Sequence, residues 1–266
     1  MESKEYDLFN CEETARLYAE HQPNLSQDVL DIVIEQTSCL DRSVLVDVGC
    51  GSGSSTRPFA SHFGHVLGVD YSSAQIELAK ELTKEENVRY YQGSVYEIPV
   101  EDNSVDCVFG QMIIQFLDIP KFYKEVLRVL KPDGALVLYA KGQWKIINDN
   151  DVQEWFQKLK TELYNGLWHD KTYFGACQYT NVPDLYPDDC AAVKSRIELV
   201  HNKSLSIEDV INFSLTWSAA GKYRKRKDIS IEELKVILRT RLGEVTKDKL
   251  YEINYPGWVM CYKKKR

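Results

Sequence analysis

The segment from Val46 to Thr56 combines acidic, glycine and hydroxyl residues at a spacing that suits ligand binding. Gly49, Gly51 and Gly53 follow a largely apolar run, residues 43–48, whose length and β-branched residues predict a buried strand. Glycine has no Cβ atom, so its backbone can turn sharply and approach a ligand closely. Open α/β sheets bind their ligands where the strands end. The spacing therefore predicts a ligand-binding loop after this strand.

Two aspartates accompany the loop. Asp47 lies inside the predicted strand, where an ionised carboxylate is costly unless it is paired or hydrogen-bonded. Asp70 ends the next apolar run, at about the position where an acid binds ribose hydroxyls in α/β sheets that hold nucleosides. Asp70 therefore favours a ligand that carries a ribose, and Asp47 requires a partner for its charge.

Two cofactors fit this pattern to different degrees. A dinucleotide site requires Gly-x-Gly-x-x-Gly, and here the sixth position is Ser54. The negative charge of Asp47 is also unfavourable near a pyrophosphate, whereas it is favourable near the cationic ammonium group of S-adenosylmethionine. The residues therefore favour S-adenosylmethionine over NAD, and a glycine turn with two capping aspartates is the remaining alternative.

Strands and helices alternate around the loop, which is typical of βαβ units and predicts an α/β fold. We predict a Rossmann-like, doubly wound, mostly parallel sheet of seven strands with helices on both faces. The two last strands would form a hairpin through Pro256 and Gly257, which puts one strand antiparallel. The predicted strands are 43–49, 65–69, 88–92, 105–110, 135–140, 249–255 and 257–263, and the predicted helices are 12–18, 26–37, 55–63, 73–84, 120–130, 206–219 and 230–242.

The chain is expected to form a single domain with four parts. Residues 1–40 would be a helical lid and 41–141 the cofactor-binding core. The alternation stops after Lys141, and residues 142–200 are rich in aromatic and polar side chains, which predicts a substrate cap. Residues 201–266 would supply the C-terminal helices and the closing hairpin.

Composition narrows the class of partner. The 266 residues include 33 basic and 40 acidic side chains, for a net charge of −7, which disfavours nucleic-acid binding. No run approaches the roughly 18 apolar residues of a membrane helix, and the acidic N-terminus is unlike a signal peptide. Seven scattered cysteines indicate reduced thiols and a cytoplasmic location. We expect a small-molecule substrate, no nucleic-acid or membrane partner, no metal, and a monomer or weak homodimer.

Several segments resemble the class I S-adenosylmethionine-dependent methyltransferases in their order and spacing. The resemblance covers about residues 40 to 140 and comprises 44–56, Gly68–Ser72, Gly93–Pro99, Ser104–Asp106 and Glu125–Gly134. It implies that Gly49, Cys50 and Gly51 bind the methionine part, with Asp47 near its ammonium group. Asp70 would accept hydrogen bonds from both ribose hydroxyls. The other implied cofactor residues are Tyr71 beside the adenine, Ser94 and the Val95 amide at its edge, Gln111 at the methionine part, and Tyr18 closing over the cofactor.

A closer resemblance extends along nearly the whole chain. Tyr18–Glu20 followed by Pro23, then 115–122, and then Leu215–Ser218 are similar to the trans-aconitate methyltransferase-like group of small-molecule methyltransferases. That group usually has His-Trp where this chain has Gln115-Phe116, and arginine where it has Gln22. The resemblance implies a carboxylate oxygen as acceptor, and these departures put the acceptor's identity in doubt.

The mechanism requires little acid–base chemistry from the protein. The cofactor supplies the leaving group, so the protein mainly orients and desolvates the acceptor. A carboxylate acceptor needs no base, whereas an amine or hydroxyl acceptor does, and His169 is the candidate for that role. Gln115 is the other predicted catalytic residue, and Trp168, Tyr173 and Phe174 are candidates for a substrate wall. A non-catalytic cofactor-binding module is the alternative from another class.

Overall fold

A mixed β-sheet forms the centre of the computed structural model, which describes residues 11–22, 24–167, 191–244 and 249–265. The sheet order is β3-β2-β1-β4-β5-β8-β6, and β7 also pairs with β8. Strands β1 to β5 pair in parallel, and β8 is antiparallel to β5, β6 and β7. The strands are β1 Val44–Val48, β2 His65–Asp70, β3 Val88–Gln92, β4 Val105–Gln111, β5 Leu130–Lys141, β6 Lys145–Ile146, β7 Ala191–Leu205 and β8 Tyr251–Lys264.

Helices cover both faces of this sheet. Helix α2 packs on one apolar face and α4 on the other, which confirms the doubly wound α/β prediction. The central strands are buried on both faces, as their continuous apolar sequences require. The helices in the described ranges are α1 Glu12–His21, α2 Gln27–Gln36, α3 Ser73–Leu82, α4 Ile119–Val129, α5 Asn150–Lys158, α6 Ile207–Leu215, α7 Ser218–Lys227 and α8 Ile231–Leu242.

A third apolar cluster lies beyond the end of β5. Helices α5, α6 and α8 pack there around aromatic side chains such as Trp144 and Phe156. The Trp144 ring stacks on Phe213, with 3.5 Å between ring centroids. In the part of the chain that the structure describes, no helix is both long enough and apolar enough to cross a membrane.

Three predictions about elements are wrong. The predicted helix 206–219 is interrupted at Trp217, whose extended backbone separates α6 from α7. The predicted helix 55–63 is only a five-residue 3-10 helix, Arg57–Ser61. The predicted hairpin is also absent, since β8 runs without a turn through Pro256 and Gly257.

Gly257 allows close packing between strands and does not form a turn. A Cβ atom on this residue would lie 2.8 Å from His201 Nε2, so glycine lets that imidazole cross the strand. His201 belongs to β7, which pairs with β8 along its whole length and crosses the predicted cap boundary at residue 200.

Candidate active site

The glycine loop follows β1 at the carboxyl edge of the sheet. Gly49, Gly51 and Gly53 have φ angles of 67°, 53° and 78°, in the left-handed region that favours glycine. A Cβ atom on Gly49 would lie 2.7 Å from Ile113 Cδ1, whereas one on Gly51 would meet only Gln75 Oε1, at 3.7 Å. The loop therefore packs tightly at Gly49 and leaves space beside Gly51.

Asp47 anchors this loop from inside the sheet. Its Oδ2 accepts hydrogen bonds from Ser55 Oγ at 2.8 Å and Thr56 Oγ1 at 2.7 Å. Burial raises the pKa of Asp47 to about 7, although the two hydroxyls lower it. Oδ1 is buried without a hydrogen-bond partner in the described ranges. Ser55 and Thr56 stand next to the glycines in the sequence, but their anchoring role was missed.

Asp70 holds the loop at its outer side. Its Oδ2 accepts from the Gly51 amide and its Oδ1 from the Ser72 amide, each at 2.9 Å. Burial raises the pKa of Asp70, against the lowering effect of these amides. Each carboxylate oxygen has a second lone pair, so the group can accept further hydrogen bonds.

Cys50 contributes only its backbone to the space above the loop. Its Sγ lies 2.9 Å from the Cβ position of Gly68 on β2, so the side chain faces the sheet. Burial raises the pKa of the thiol well above its usual value, which makes it a poor nucleophile.

Helix α1 brings Tyr18 to Asp70. Burial of the Tyr18 hydroxyl raises its pKa to about 12, and the negative charge of Asp70 adds to this shift. Arg16 of the same helix contacts Glu81 of α3 through two hydrogen bonds, of 2.9 and 3.2 Å. The predicted lid residue is therefore next to the predicted ribose-binding acid.

The predicted adenine residues lie around the ends of β2 and β3. Tyr71 follows Asp70 and its side chain is 57% exposed. Ser94 Oγ accepts from the Tyr96 amide at 3.2 Å, and Val95 packs against the core. The structure thus groups these three residues beside Asp70.

Two buried amide oxygens point to a ligand at this edge. Gln111 Oε1 at the end of β4 and Gln75 Oε1 on α3 have no hydrogen-bond partner among the residues described. A buried polar atom without a partner costs about 1–3 kcal/mol, which a polar ligand removes. Gln75 was missed, because nothing in its local pattern distinguishes it from a surface glutamine of a helix.

Gln115 supports the turn after β4. The side chain is buried, and its Nε2 donates to the Met112 carbonyl at 2.7 Å. Met112 has a φ of 55°, an uncommon conformation for a residue with a side chain. Gln115 therefore fixes a strained turn beside Gln111. His169, the other predicted catalytic residue, and Trp168, Tyr173 and Phe174 lie outside the described residues.

Lys141 is a cation at the same edge that sequence reasoning missed. The residue ends β5, is only 8% exposed, and its amide donates to Met112 Sδ at 2.9 Å. Burial and the nearby charge of Lys203 lower the pKa of Lys141 to about 7. The sequence feature that could have identified Lys141 is its position directly after the apolar strand predicted over 135–140.

The fold and these residues agree with a family comparison. Residues 46–138 match the family model described as a methyltransferase domain. Residues 46–138 belong to a class I S-adenosylmethionine-dependent methyltransferase domain. The chain is 28% identical over 254 residues to a Dictyostelium discoideum protein whose name places it among methyltransferases, covering 94% of this chain and 93% of that protein.

Solved structures support the same fold. A protein from Anaeromyxobacter dehalogenans, described as a type II methyltransferase, superimposes with a TM-score of 0.69 at 20% identity. The match covers 91% of this chain and 97% of that chain.

A sequence relative with a named substrate matches a shorter part of the chain. A Caenorhabditis elegans phosphoethanolamine N-methyltransferase is 36% identical over 105 residues, covering 37% of this chain and 24% of that protein.

Proposed function

We propose that this methyltransferase transfers a methyl group to a carboxylate oxygen of a small molecule. The observation that carries the small-molecule assignment is the position of α1 over the sheet edge. Arg16 links it to α3, and Gln22 Nε2 donates to Thr216 Oγ1 at 2.7 Å beyond α6. A helix held across the edge leaves room for a metabolite and obstructs a macromolecule.

The side chains that follow β4 favour an acceptor that needs no proton removal. Gln111 has an amide, which can orient a ligand and does not act as a base, and Gln115 and Met112 hold the turn. A carboxylic acid is ionised at neutral pH, so its oxygen reacts directly. This argument agrees with the trans-aconitate-like resemblance, which we retain as a proposal.

The buried polar atoms fit the cofactor. When bound, S-adenosylmethionine supplies a methyl group on a sulfonium, a carbon already activated for displacement. We propose that Gly49, Cys50 and Gly51 hold its methionine part through their backbone, with Gln111 and Asp47 near the ammonium group. For the nucleoside part we propose Asp70 at the ribose, Tyr71, Ser94 and Val95 around the adenine, and Tyr18 as the cover.

An amine acceptor is the second candidate, because one relative is named as a phosphoethanolamine N-methyltransferase. That reaction would need a base, and His169 is our candidate for it. We also propose that the protein has no nucleic-acid partner, because its pI is acidic, about 5.4. The expectation of a cytoplasmic monomer or weak homodimer without a membrane partner stays part of this proposal.

Base treatment of the labelled product distinguishes these functions. The protein is incubated with methyl-labelled S-adenosylmethionine and a deproteinised small-molecule extract, and the products are then exposed to mild base. Release of the label as methanol is expected, since a methyl ester hydrolyses under these conditions. A base-stable label would contradict the carboxylate proposal in favour of an amine or hydroxyl. Binding of S-adenosylhomocysteine with no transfer, across extracts of several sources, would favour a non-catalytic module.

A further inference from the structure

We propose that Gln75 binds a ribose hydroxyl of the cofactor beside Asp70, an inference that rests on the ribose site of the proposed function. The carbonyl oxygen of the Gln75 amide would accept a hydrogen bond that forms only when the cofactor is bound. The residue takes no part in making or breaking covalent bonds, so its contribution is to cofactor affinity.

The start of helix α3 fixes Gln75 relative to Asp70. Ser72 is the N-cap of this helix, and its Oγ accepts from the Gln75 amide at 3.2 Å. The Ser72 amide in turn donates to Asp70 Oδ1 at 2.9 Å. One short turn therefore joins the aspartate that ends β2 to the glutamine in the first turn of α3.

Both side chains also adjoin the same glycine of the loop. Asp70 Oδ2 accepts from the Gly51 amide at 2.9 Å. Apart from the chain neighbours of Gly51, a Cβ atom on this residue would meet only Gln75 Oε1 within 4 Å in the described structure, at 3.7 Å. Gln75 Oε1 therefore borders the space that the missing side chain of Gly51 leaves next to Asp70.

The burial of Gln75 indicates that this oxygen serves a ligand. The residue is only 3% exposed, and Oε1 has no hydrogen-bond partner among the residues described. Such an atom destabilises the cofactor-free protein, and an apolar side chain of similar length would fill the same volume without that cost. A ribose hydroxyl is a donor that a carbonyl oxygen can accept.

The position of α3 favours the ribose over the ammonium group of the methionine part, which is the other donor. Helix α3 packs against β2 and β3, whereas Gln111 ends β4, on the other side of β1. Gln75 is thus on the side of the loop where Asp70 lies, and Gln111 is on the side proposed for the methionine part.

The test is Gln75→Met, which keeps the length of the side chain and removes its amide. Calorimetry should show about tenfold weaker binding of S-adenosylhomocysteine, because one hydrogen bond to the ligand is lost. The melting temperature of the cofactor-free protein should rise by about 2–4 °C, because the unpartnered oxygen is removed. Weaker binding together with a lower melting temperature would indicate a structural role and overturn the inference.

The control variant is Gln27→Met, which replaces an exposed glutamine of α2 that donates to Asp31 Oδ1 at 2.7 Å. Its affinity for S-adenosylhomocysteine should change less than about twofold, because Gln27 has no part in the proposed site.

Smaller ligands identify the group that Gln75 contacts. 5′-Methylthioadenosine keeps the ribose and lacks the amino-acid part, so Gln75→Met should weaken its binding about tenfold as well. Removing the contacted hydroxyl should make the wild type and the variant bind equally, so the difference should disappear for either the 2′-deoxy or the 3′-deoxy analogue. A loss confined to S-adenosylhomocysteine, or a difference that persists for both deoxy analogues, would overturn the ribose contact.

Asp70→Ala separates this inference from the proposed ribose site. Unchanged affinity for S-adenosylhomocysteine in Gln75→Met, with weaker binding in Asp70→Ala, would overturn the inference and leave the ribose site intact. Unchanged affinity in both variants would overturn the ribose site together with the inference.

Discussion

Two acids at the residue scale show how similar side chains acquire different roles. Asp47 accepts from the hydroxyls of Ser55 and Thr56 inside the sheet, whereas Asp70 accepts from two backbone amides at its edge. The sequence predicted both acids from their positions at the strands. It did not predict their partners, because hydrogen bonds between the loop and the strand depend on the path of the folded backbone.

Replacing Asp70 should weaken cofactor binding specifically. Asp70→Ala is expected to reduce the affinity for S-adenosylhomocysteine at least tenfold, about 1.4 kcal/mol, because charge-assisted hydrogen bonds to the ribose are lost. Asp70→Asn should give an intermediate loss, since one acceptor oxygen remains. Calorimetry measures both, with exposed Asp41→Ala as control; an unchanged affinity in Asp70→Ala would refute the ribose assignment.

The raised pKa of Asp47 predicts a pH-dependent stability. The folded protein holds this proton up to about pH 7, while the ordinary aspartate pKa is 3.8, so the free energy of unfolding falls as pH rises between these values. Asp47→Asn cannot ionise. Its stability relative to wild type should therefore rise with pH, by about 1.4 kcal/mol per unit in this window, and level off above it.

Urea unfolding at several pH values from 4.5 to 8 measures this difference. The matched control is Asp41→Asn, which changes an exposed aspartate just before β1. Parallel stability curves for Asp47→Asn and wild type would show that the folded-state pKa of Asp47 is ordinary.

At the scale of elements, the lid helix depends on polar contacts. Ala15 is the buried residue of α1, and the helix is joined to its neighbours by Arg16–Glu81 and Arg224–Glu13 ion pairs. Exposed ion pairs contribute little individually and weaken in salt. We therefore expect the amide hydrogens of α1 to exchange faster than those of the sheet.

Breaking one of these pairs should loosen α1 alone. Arg16→Gln is expected to speed amide hydrogen exchange in α1 about threefold, because the link to Glu81 is removed, while exchange in β1 and β4 stays unchanged. Arg241→Gln on α8 is the exposed control. Mass spectrometry of exchanged peptides reports each element; equal acceleration in α1 and the strands would indicate global destabilisation instead.

The strands were more predictable than their connections. Largely apolar runs identified β1 and β4 to within one residue at each end, because burial on both faces leaves few alternatives. The bounds of β3 were also predicted, although most of its residues are exposed. The predicted helix 55–63 is a short 3-10 helix in the structure. The hairpin prediction was wrong because Pro-Gly is typical of a turn, whereas here Gly257 makes room for the His201 side chain. This contact joins two strands that are paired in the sheet but far apart in the sequence, so a local sequence pattern does not reveal it.

At the scale of the whole molecule, one sheet edge collects the functional groups. The ends of β1, β2, β4 and β5 bring Asp47, Asp70, Gln111 and Lys141 together from separate parts of the chain. Family resemblance predicted the cofactor half of this edge. The burial of Lys141 beside Met112 was not predicted, because it arises from the pairing of β5 with β4 and β8.

A crystal structure of the complex with S-adenosylhomocysteine tests the central claim most directly. We expect the ribose hydroxyls on Asp70, the methionine part above Gly51 with its polar groups near Gln111, and Tyr18 over the nucleoside. A nucleoside bound away from Asp70, or a methionine part bound away from Gly51 and Gln111, would contradict the account.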